Sequence, residues 1–312
     1  MLVQILLIAL GFVLLIKGAD FLVDGSSNIA KKFHIPEIVI GLTIVSIGTS
    51  MPELFVSTTS ALQGLSDMSL GNVIGSNICN LLLILGASAV ISPVNVQKQT
   101  HKVEIPMCLG FTLAFMLLCN LSNDVSRLDG IILLILFCGF IGYTLYIAKK
   151  GVNDDEDSNE DTGSILKNIV LIVVGIAGLK IGGDLTVDNS VLIAQSLGLS
   201  EKVIGLTILA IGTSLPELVT SVMAALKGND DIAIGNIIGS NIFNMLMIIG
   251  VTAVITPITY NPTYNVQLII LIIALVVLFI FPMLKPKDKM TRPHGIIYLI
   301  MYVIYMIMLF VM

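Results

Sequence analysis

Tryptophan is absent from the 312 residues, histidine occurs three times, cysteine four times, and charged side chains make up only 12%. An ordinary globular chain carries roughly 25% charged residues, so this composition excludes a water-soluble domain. The formal net charge is −5, with no basic stripe to neutralise phosphates, which excludes a nucleic-acid binder. Cys79, Cys108, Cys119 and Cys138 lie in or at the ends of apolar runs without metal-ligand spacing, and they read as small buried apolar residues. His34, His101 and His294 read as loop residues, so the Ser–His dyad of an intramembrane serine protease lacks its base. Asp20 and Asp184 fall late in their apolar segments, too near polar ends for an aspartyl protease pair. No enzyme is expected. Without Trp, the interfacial aromatic belt rests on seven tyrosines and is thin.

What the chain has is apolar length. The hydrophobic fraction is 56% and the mean hydropathy +1.00. The runs Leu2–Ile16, Ile131–Ala148, Val266–Met283 and Ile296–Met312 each approach the ~20 residues that cross a ~30 Å hydrocarbon layer. The N-terminal run lacks a basic region and a small-residue cleavage site, so it reads as a first span rather than a signal peptide. The class is a polytopic α-helical membrane protein, with lipid as its surroundings.

The chain is also a duplication. Asp20–Pro93 aligns without a gap on Asp184–Pro257 at an offset of 164, with 34 identities in the 58 pairs from position 36 to position 93. The segment Ile47-Gly-Thr-Ser-Met-Pro-Glu-Leu54 returns as Ile211-Gly-Thr-Ser-Leu-Pro-Glu-Leu218. Likewise Gly71-Asn-Val-Ile-Gly-Ser-Asn-Ile-Cys-Asn80 returns as Gly235-Asn-Ile-Ile-Gly-Ser-Asn-Ile-Phe-Asn244. The identities fall on Gly, Ser, Thr, Asn, Pro and Glu, which hydrophobicity alone does not dictate. Each half reads as five spans: about 2–24, 36–63, 68–92, 103–121 and 130–148, then about 165–188, 201–227, 231–256, 265–283 and 293–311. The chain thus divides into a first repeat (1–148), an acidic cytoplasmic linker (149–164) and a second repeat (165–312). Five is odd, so the halves enter the membrane with opposite orientation. With both termini outside, twelve Lys and Arg fall in inner loops and only Arg127 and Lys202 in outer ones, a strong positive-inside bias. The expected fold is an all-α membrane protein of ten helices built as two inverted-topology repeats, in the cell membrane, with the linker cytoplasmic.

Ionisable groups at membrane depth are costly and point to function. Glu53 and Glu217 fall near the middle of the second and seventh spans, each after a proline. Proline removes a backbone donor and clashes with the preceding turn, so both helices should kink and free the carbonyls of Ser46 and Ala210. Such oxygens are tolerable in lipid only where they line a wet cavity or hold an ion. Thr49 and Ser50 precede Glu53 on the same helical face, as Thr213 and Ser214 precede Glu217. Asn72, Ser76 and Asn80 form a stripe at spacing four, repeated as Asn236, Ser240 and Asn244. Neither His nor Cys joins the set, which disfavours Zn²⁺ or Cu⁺. A flexible all-oxygen site with six to eight potential ligands suits Ca²⁺, with subsites for Na⁺.

These repeated segments resemble the paired repeats of Na⁺/Ca²⁺ exchangers, in the cation/Ca²⁺ exchanger superfamily, and are most similar to its prokaryotic branch. The resemblance covers the whole transmembrane chain. It implies ten helices, four ion-binding helices at the centre, and two long tilted helices, the first and sixth, sliding across them as gates. It implies antiport of Na⁺ against Ca²⁺ by alternating access, with no cofactor, no protein partner and a monomer sufficient for function. By the same resemblance Glu53 and Glu217 share Ca²⁺ and otherwise bind Na⁺. Thr49, Ser50, Thr213, Ser214, Ser76 and Ser240 match the hydroxyl ligands, and Asn80 and Asn244 the remaining side chains. Several relatives carry Asp where this chain has Asn244, so two carboxylates stand here instead of three, which argues against K⁺ co-transport. Proton-coupled Ca²⁺ antiport, or another cation antiport through the same site, is the alternative. Asp20, Asp24, Asp184 and Asp188 repeat on the first and sixth spans, where Lys17–Asp20 and Lys180–Asp184 sit at ion-pair spacing.

Overall fold

A computed structural model describes residues 1–151, 164–198 and 210–311. Most of the acidic linker and the first part of the expected seventh span lie outside the described residues. The described chain is almost entirely helical. The helices are α1 (Leu2–Lys32), the bent pair α2 (Glu37–Thr49) and α3 (Met51–Leu62), α4 (Ser66–Ile91), α5 (Thr100–Ser122) and α6 (Arg127–Lys150). They continue with α7 (Ile165–Ser196), α8 (Leu215–Leu226), α9 (Asp230–Ile255), α10 (Tyr264–Met283) and α11 (Arg292–Leu309). Among the described residues, eight helices are long and apolar enough to cross a membrane, or nine if the bent pair counts as one span.

Burial inverts the soluble pattern. In α4 and α9, the helices richest in Gly, Ser and Asn, 72% and 83% of the most apolar stretch is buried. In α1, α6 and α7 the figure is 22%. Leu6, Leu121, Ile135 and Ile304 are exposed on the outer helices. Lipid is as apolar as leucine, so the polar, small-residue helices occupy the centre and the aliphatic ones face outward.

Two helices run longer than their hydropathy suggests. α1 reaches Lys32 instead of ending near 24, and α7 reaches Ser196 instead of about 188. Their polar ends stay helical because the two helices pack along their length. Gly11 meets Gly182, Gly18 meets Gly175, and Gly25 meets Asn168, so the pair is antiparallel with a small residue every seventh position. A Cβ built on Gly18 would lie 2.7 Å from the Leu179 nitrogen, and one on Gly175 would lie 2.7 Å from that of Leu22. Only glycine permits this backbone approach.

Two short antiparallel ladders tie the loops at opposite ends of α4. Val94–Asn95 (β1) pairs with Lys289–Met290 (β4), and Asp124–Val125 (β2) pairs with Ile258–Thr259 (β3). β1 and β3 lie 164 residues apart, the offset of the sequence repeat. Near β1, the Asn95 backbone N–H donates to Asp230 at 2.9 Å; near β3, the Thr259 N–H donates to Ser66 Oγ at 3.2 Å. The equivalent ladder therefore recurs at the other end of the bundle.

Three sequence expectations need correction. Cys138 is exposed, unlike the other three cysteines, because it sits on the outer face of α6. His101 and His294 lie on the first turns of α5 and α11 rather than in loops, and each ring stacks on a phenylalanine, Phe279 and Phe281 respectively. Packing holds them there.

Candidate cation site

Pro52 has no N–H, so the Gly48 carbonyl loses its helical donor. Ser50 leaves the helical region (φ −87°, ψ 8°), and α2 and α3 meet there at a bend of 48°. Glu53 falls in the first turn of α3, where the positive end of the helix favours a carboxylate. The second half repeats the construction. Ser214 (φ −90°, ψ 6°) precedes α8, Pro216 sits in its first turn, and Glu217 follows. Both glutamates are buried, with exposures of 0% and 1%.

Cross-links between the halves assemble the site. Ser50 Oγ donates to Glu217 Oε1 at 2.8 Å, which brings the two broken helices together. Thr49 Oγ1 lies 3.1 Å from Asn236 Oδ1 and 3.1 Å from the Val45 carbonyl. Asn72 Nδ2 donates to Ser57 Oγ at 2.8 Å, and Asn236 Nδ2 to Ser221 Oγ at 2.9 Å. These two asparagines act as struts between helices. α4 and α9 each carry a π-helical turn, Cys79–Ile84 and Phe243–Ile248. Such turns concentrate at functional sites, and here they hold Asn80 and Asn244.

Of the fifteen buried side-chain oxygens without a hydrogen-bond partner among the described residues, eight fall on the residues expected from the sequence. Glu53 Oε1 and Oε2, Glu217 Oε2, Asn80 Oδ1, Asn244 Oδ1, Thr213 Oγ1, Ser214 Oγ and Ser240 Oγ have no hydrogen-bond partner among the described residues. The Asn241 amide is the only nitrogen in the same condition among the described residues. At about 1–3 kcal/mol for each unsatisfied group, these eight oxygens would together cost on the order of ten kcal/mol or more. That rivals the whole stability of a typical domain. A cation suits an all-oxygen set of this kind, and two carboxylates would balance one divalent ion. No group of three or more His, Cys, Asp or Glu that could hold a metal exists among the described residues.

Of the residues expected from the sequence, hydrogen bonds join Ser50 to Glu217 and Thr49 to Asn236 across the halves, and the two expected main-chain oxygens need qualification. Ser46 is buried, but its carbonyl accepts the Ser50 N–H at 3.0 Å, so it is not fully freed. In the second half the Ser214 N–H turns to the Ile211 carbonyl at 3.2 Å instead of reaching back four residues. Ser76 lines a cavity of about 650 Å³ that runs between Asp67, Thr263 and Tyr264 at one end of the bundle and Ser76 and Thr213 at depth.

Sequence reasoning missed Asn77 and Asn241. Asn244 Nδ2 donates to Asn77 Oδ1 at 2.9 Å, Asn80 Nδ2 to Asn241 Oδ1 at 3.2 Å, and Asn77 Nδ2 to the Asn241 carbonyl at 3.2 Å. Their signal was present in the repeated Gly-Ser-Asn tripeptide, one place off the spacing-four stripe. Lys227 was also missed as a partner: its Nζ lies 2.5 Å from Asp20 and 2.7 Å from Asp24. The expected pairs Lys17–Asp20 and Lys180–Asp184 form at 3.8 and 2.7 Å.

Two buried glutamates, each in the first turn after a helix break, are thus repeated in the two halves. The model for the sodium/calcium exchanger protein family matches residues 3–146 and 167–311. The chain belongs to the sodium/calcium exchanger family. Within it, the sodium/calcium exchanger MaX1 of Methanosarcina acetivorans is 32% identical over 99% of both chains. A membrane protein of Methanocaldococcus jannaschii, MJ0091, is 38% identical over 95% of this chain and 94% of its own. Among solved structures, the sodium-calcium exchanger NCX_Mj superposes with a TM-score of 0.84 at 36% identity, covering 97% of each chain. The chain is a multi-pass membrane protein of a transporter family.

Proposed function

We propose that this exchanger carries Na⁺ in one direction and Ca²⁺ in the other, through ten helices arranged as two inverted repeats. The unpartnered oxygens of Glu53, Glu217, Asn80, Asn244, Thr213, Ser214 and Ser240 carry this reading. Their number and hardness suit Ca²⁺, and subsets suit Na⁺. Ser76, Thr49 and Ser50 complete the set, with main-chain oxygens of Ser46 and Ala210 at the breaks. The antiparallel α1–α7 pair and the ladders at opposite ends support the inverted repeat. The ten-helix count needs one further span, expected from the sequence over residues 201–227, part of which lies outside the described residues.

In this reading the end bearing Asp67 and Tyr264 faces outside, because the basic loops lie at the other end. Two occupancies then compete for one pair of carboxylates, which is the electrostatic condition for exchange. Proteoliposomes loaded with Na⁺ and diluted into Na⁺-free medium containing ⁴⁵Ca²⁺ test it. Ca²⁺ should accumulate and should not do so from K⁺-loaded vesicles. Uptake driven equally by an acid interior, without Na⁺, would assign the protein to proton-coupled antiport instead.

A further inference from the structure

We infer that Asn77 and Asn241 are positioning residues that set which end of the Asn80 and Asn244 amides faces the transported cation. The inference rests on the proposed cation site and extends it to residues outside the ligand set.

Four buried asparagines form a crossed network between the two halves. Asn77 on α4 accepts from Asn244 on α9, and Asn241 on α9 accepts from Asn80 on α4, at 2.9 and 3.2 Å. All four are at most 1% exposed. A primary amide has one acceptor end and one donor end. When Nδ2 of Asn80 or Asn244 is held by the partner's carbonyl oxygen, its own Oδ1 is directed the other way. Those two Oδ1 atoms are the ones without a partner. Reversed amides would present N–H groups, and an N–H cannot ligate a cation.

Asn77 is itself fixed. Its Nδ2 donates to the Asn241 main-chain carbonyl at 3.2 Å, so its Oδ1 is committed to position 244. In this orientation Asn77 presents an acceptor to position 244, which the Asn244 amide satisfies with its N–H. The mirror contact is not made: Asn241 Nδ2 has no partner. Asn244 is accordingly the more rigidly oriented of the two ligands.

A double-mutant cycle tests this on the full-length exchanger, with half-saturating Ca²⁺ and maximal rate read separately in proteoliposomes and Tm read in detergent. Outer-shell partners of metal ligands are typically worth about 10–100-fold in affinity. N77A should raise half-saturating Ca²⁺ by about tenfold with a smaller change in maximal rate. In an N244A background the same change should have no further effect, because there is no amide left to orient. If N77A does not fold, N77S keeps a small polar side chain that cannot reach Asn244 Nδ2, and it carries the same expectation. Effects of N77A or N77S that add to those of N244A would overturn the inference while leaving the site intact. If N244A and N80A leave Ca²⁺ dependence unchanged, the proposed site fails instead.

Discussion

In the first half of the chain the hydroxyls ahead of the broken helix are engaged: Thr49 reaches Asn236, and Ser50 donates to Glu217. In the second half their counterparts Thr213 and Ser214 have no partner among the described residues. Glu53 keeps both oxygens unpartnered, whereas Glu217 keeps one. The backbone differs too, since Ser50 N–H reaches back four residues to Ser46 and Ser214 N–H three, to Ile211. The sequences of these two segments are almost identical, so local sequence does not cause the difference. It comes from how each half meets the other. Two half-sites with one sequence and two geometries are what an alternating carrier requires, because exchanging the geometries exchanges the open side. Asp67 and Tyr264 line one end of the cavity, and the other end of the bundle is tied by Lys227 to Asp20 and Asp24 on α1.

The comparison breaks first at the glutamates. Removing one charge of a buried set costs about 3–5 kcal/mol. Glu53→Gln and Glu217→Gln should each reduce Na⁺-driven Ca²⁺ flux by at least about a hundredfold, with unaltered gel-filtration profiles. A functional difference between them would show that the halves contribute unequally.

The hydroxyls sharpen it. A hydrogen bond to a charged group is worth about 1.5–3 kcal/mol, and Ser50 makes one while Ser214 does not. Ser50→Ala should lower the Tm of the ion-free protein, and Ser214→Ala should lower it less. Equal losses would remove the asymmetry from the account.

Where the halves are alike, their variants should be alike. Alanine at Gly18 or Gly175 forces backbone apart at the same crossing, and overpacking costs about 1–3 kcal/mol. Both should lower Tm by similar amounts. Gly110→Ala, where a Cβ meets nothing within 4 Å, should not lower it.

The smallest effect belongs to Lys227. Position 63, its counterpart in the repeat, is Gln, so only one end carries this ion pair. Lys227 is about one-quarter exposed, and such a pair is worth about 1 kcal/mol or less, roughly fivefold at most in an equilibrium. Lys227→Gln should shift the apparent Ca²⁺ affinity from one membrane side by a few-fold, and lose that effect at high salt.

Much of this was legible in the sequence, for a physical reason. Glu53, Glu217 and the Ser, Thr and Asn around them are improbable in lipid unless used, and the duplication displayed each of them twice. Helix ends were less legible: Asp20, Asp24 and Asp188 suggested polar termini, yet α1 and α7 continue past them by packing on each other. Gly11 and Gly18 also recur at offset 164 as Gly175 and Gly182, but close approach is a property of two helices and shows in neither alone. Asn77 and Asn241 stand in the repeated motif, but their face is set by crossing with the other half. Lys227 had no charged counterpart to draw attention to it.

The account stands on one shared cation site, and ⁴⁵Ca²⁺ equilibrium binding to purified wild type, Glu53→Gln and Glu217→Gln tests that most directly. One Ca²⁺ should bind per chain in the wild type, displaced by Na⁺, and neither variant should bind at the same concentration. Retention of full Na⁺-sensitive Ca²⁺ binding by either single variant would contradict a site built from both halves.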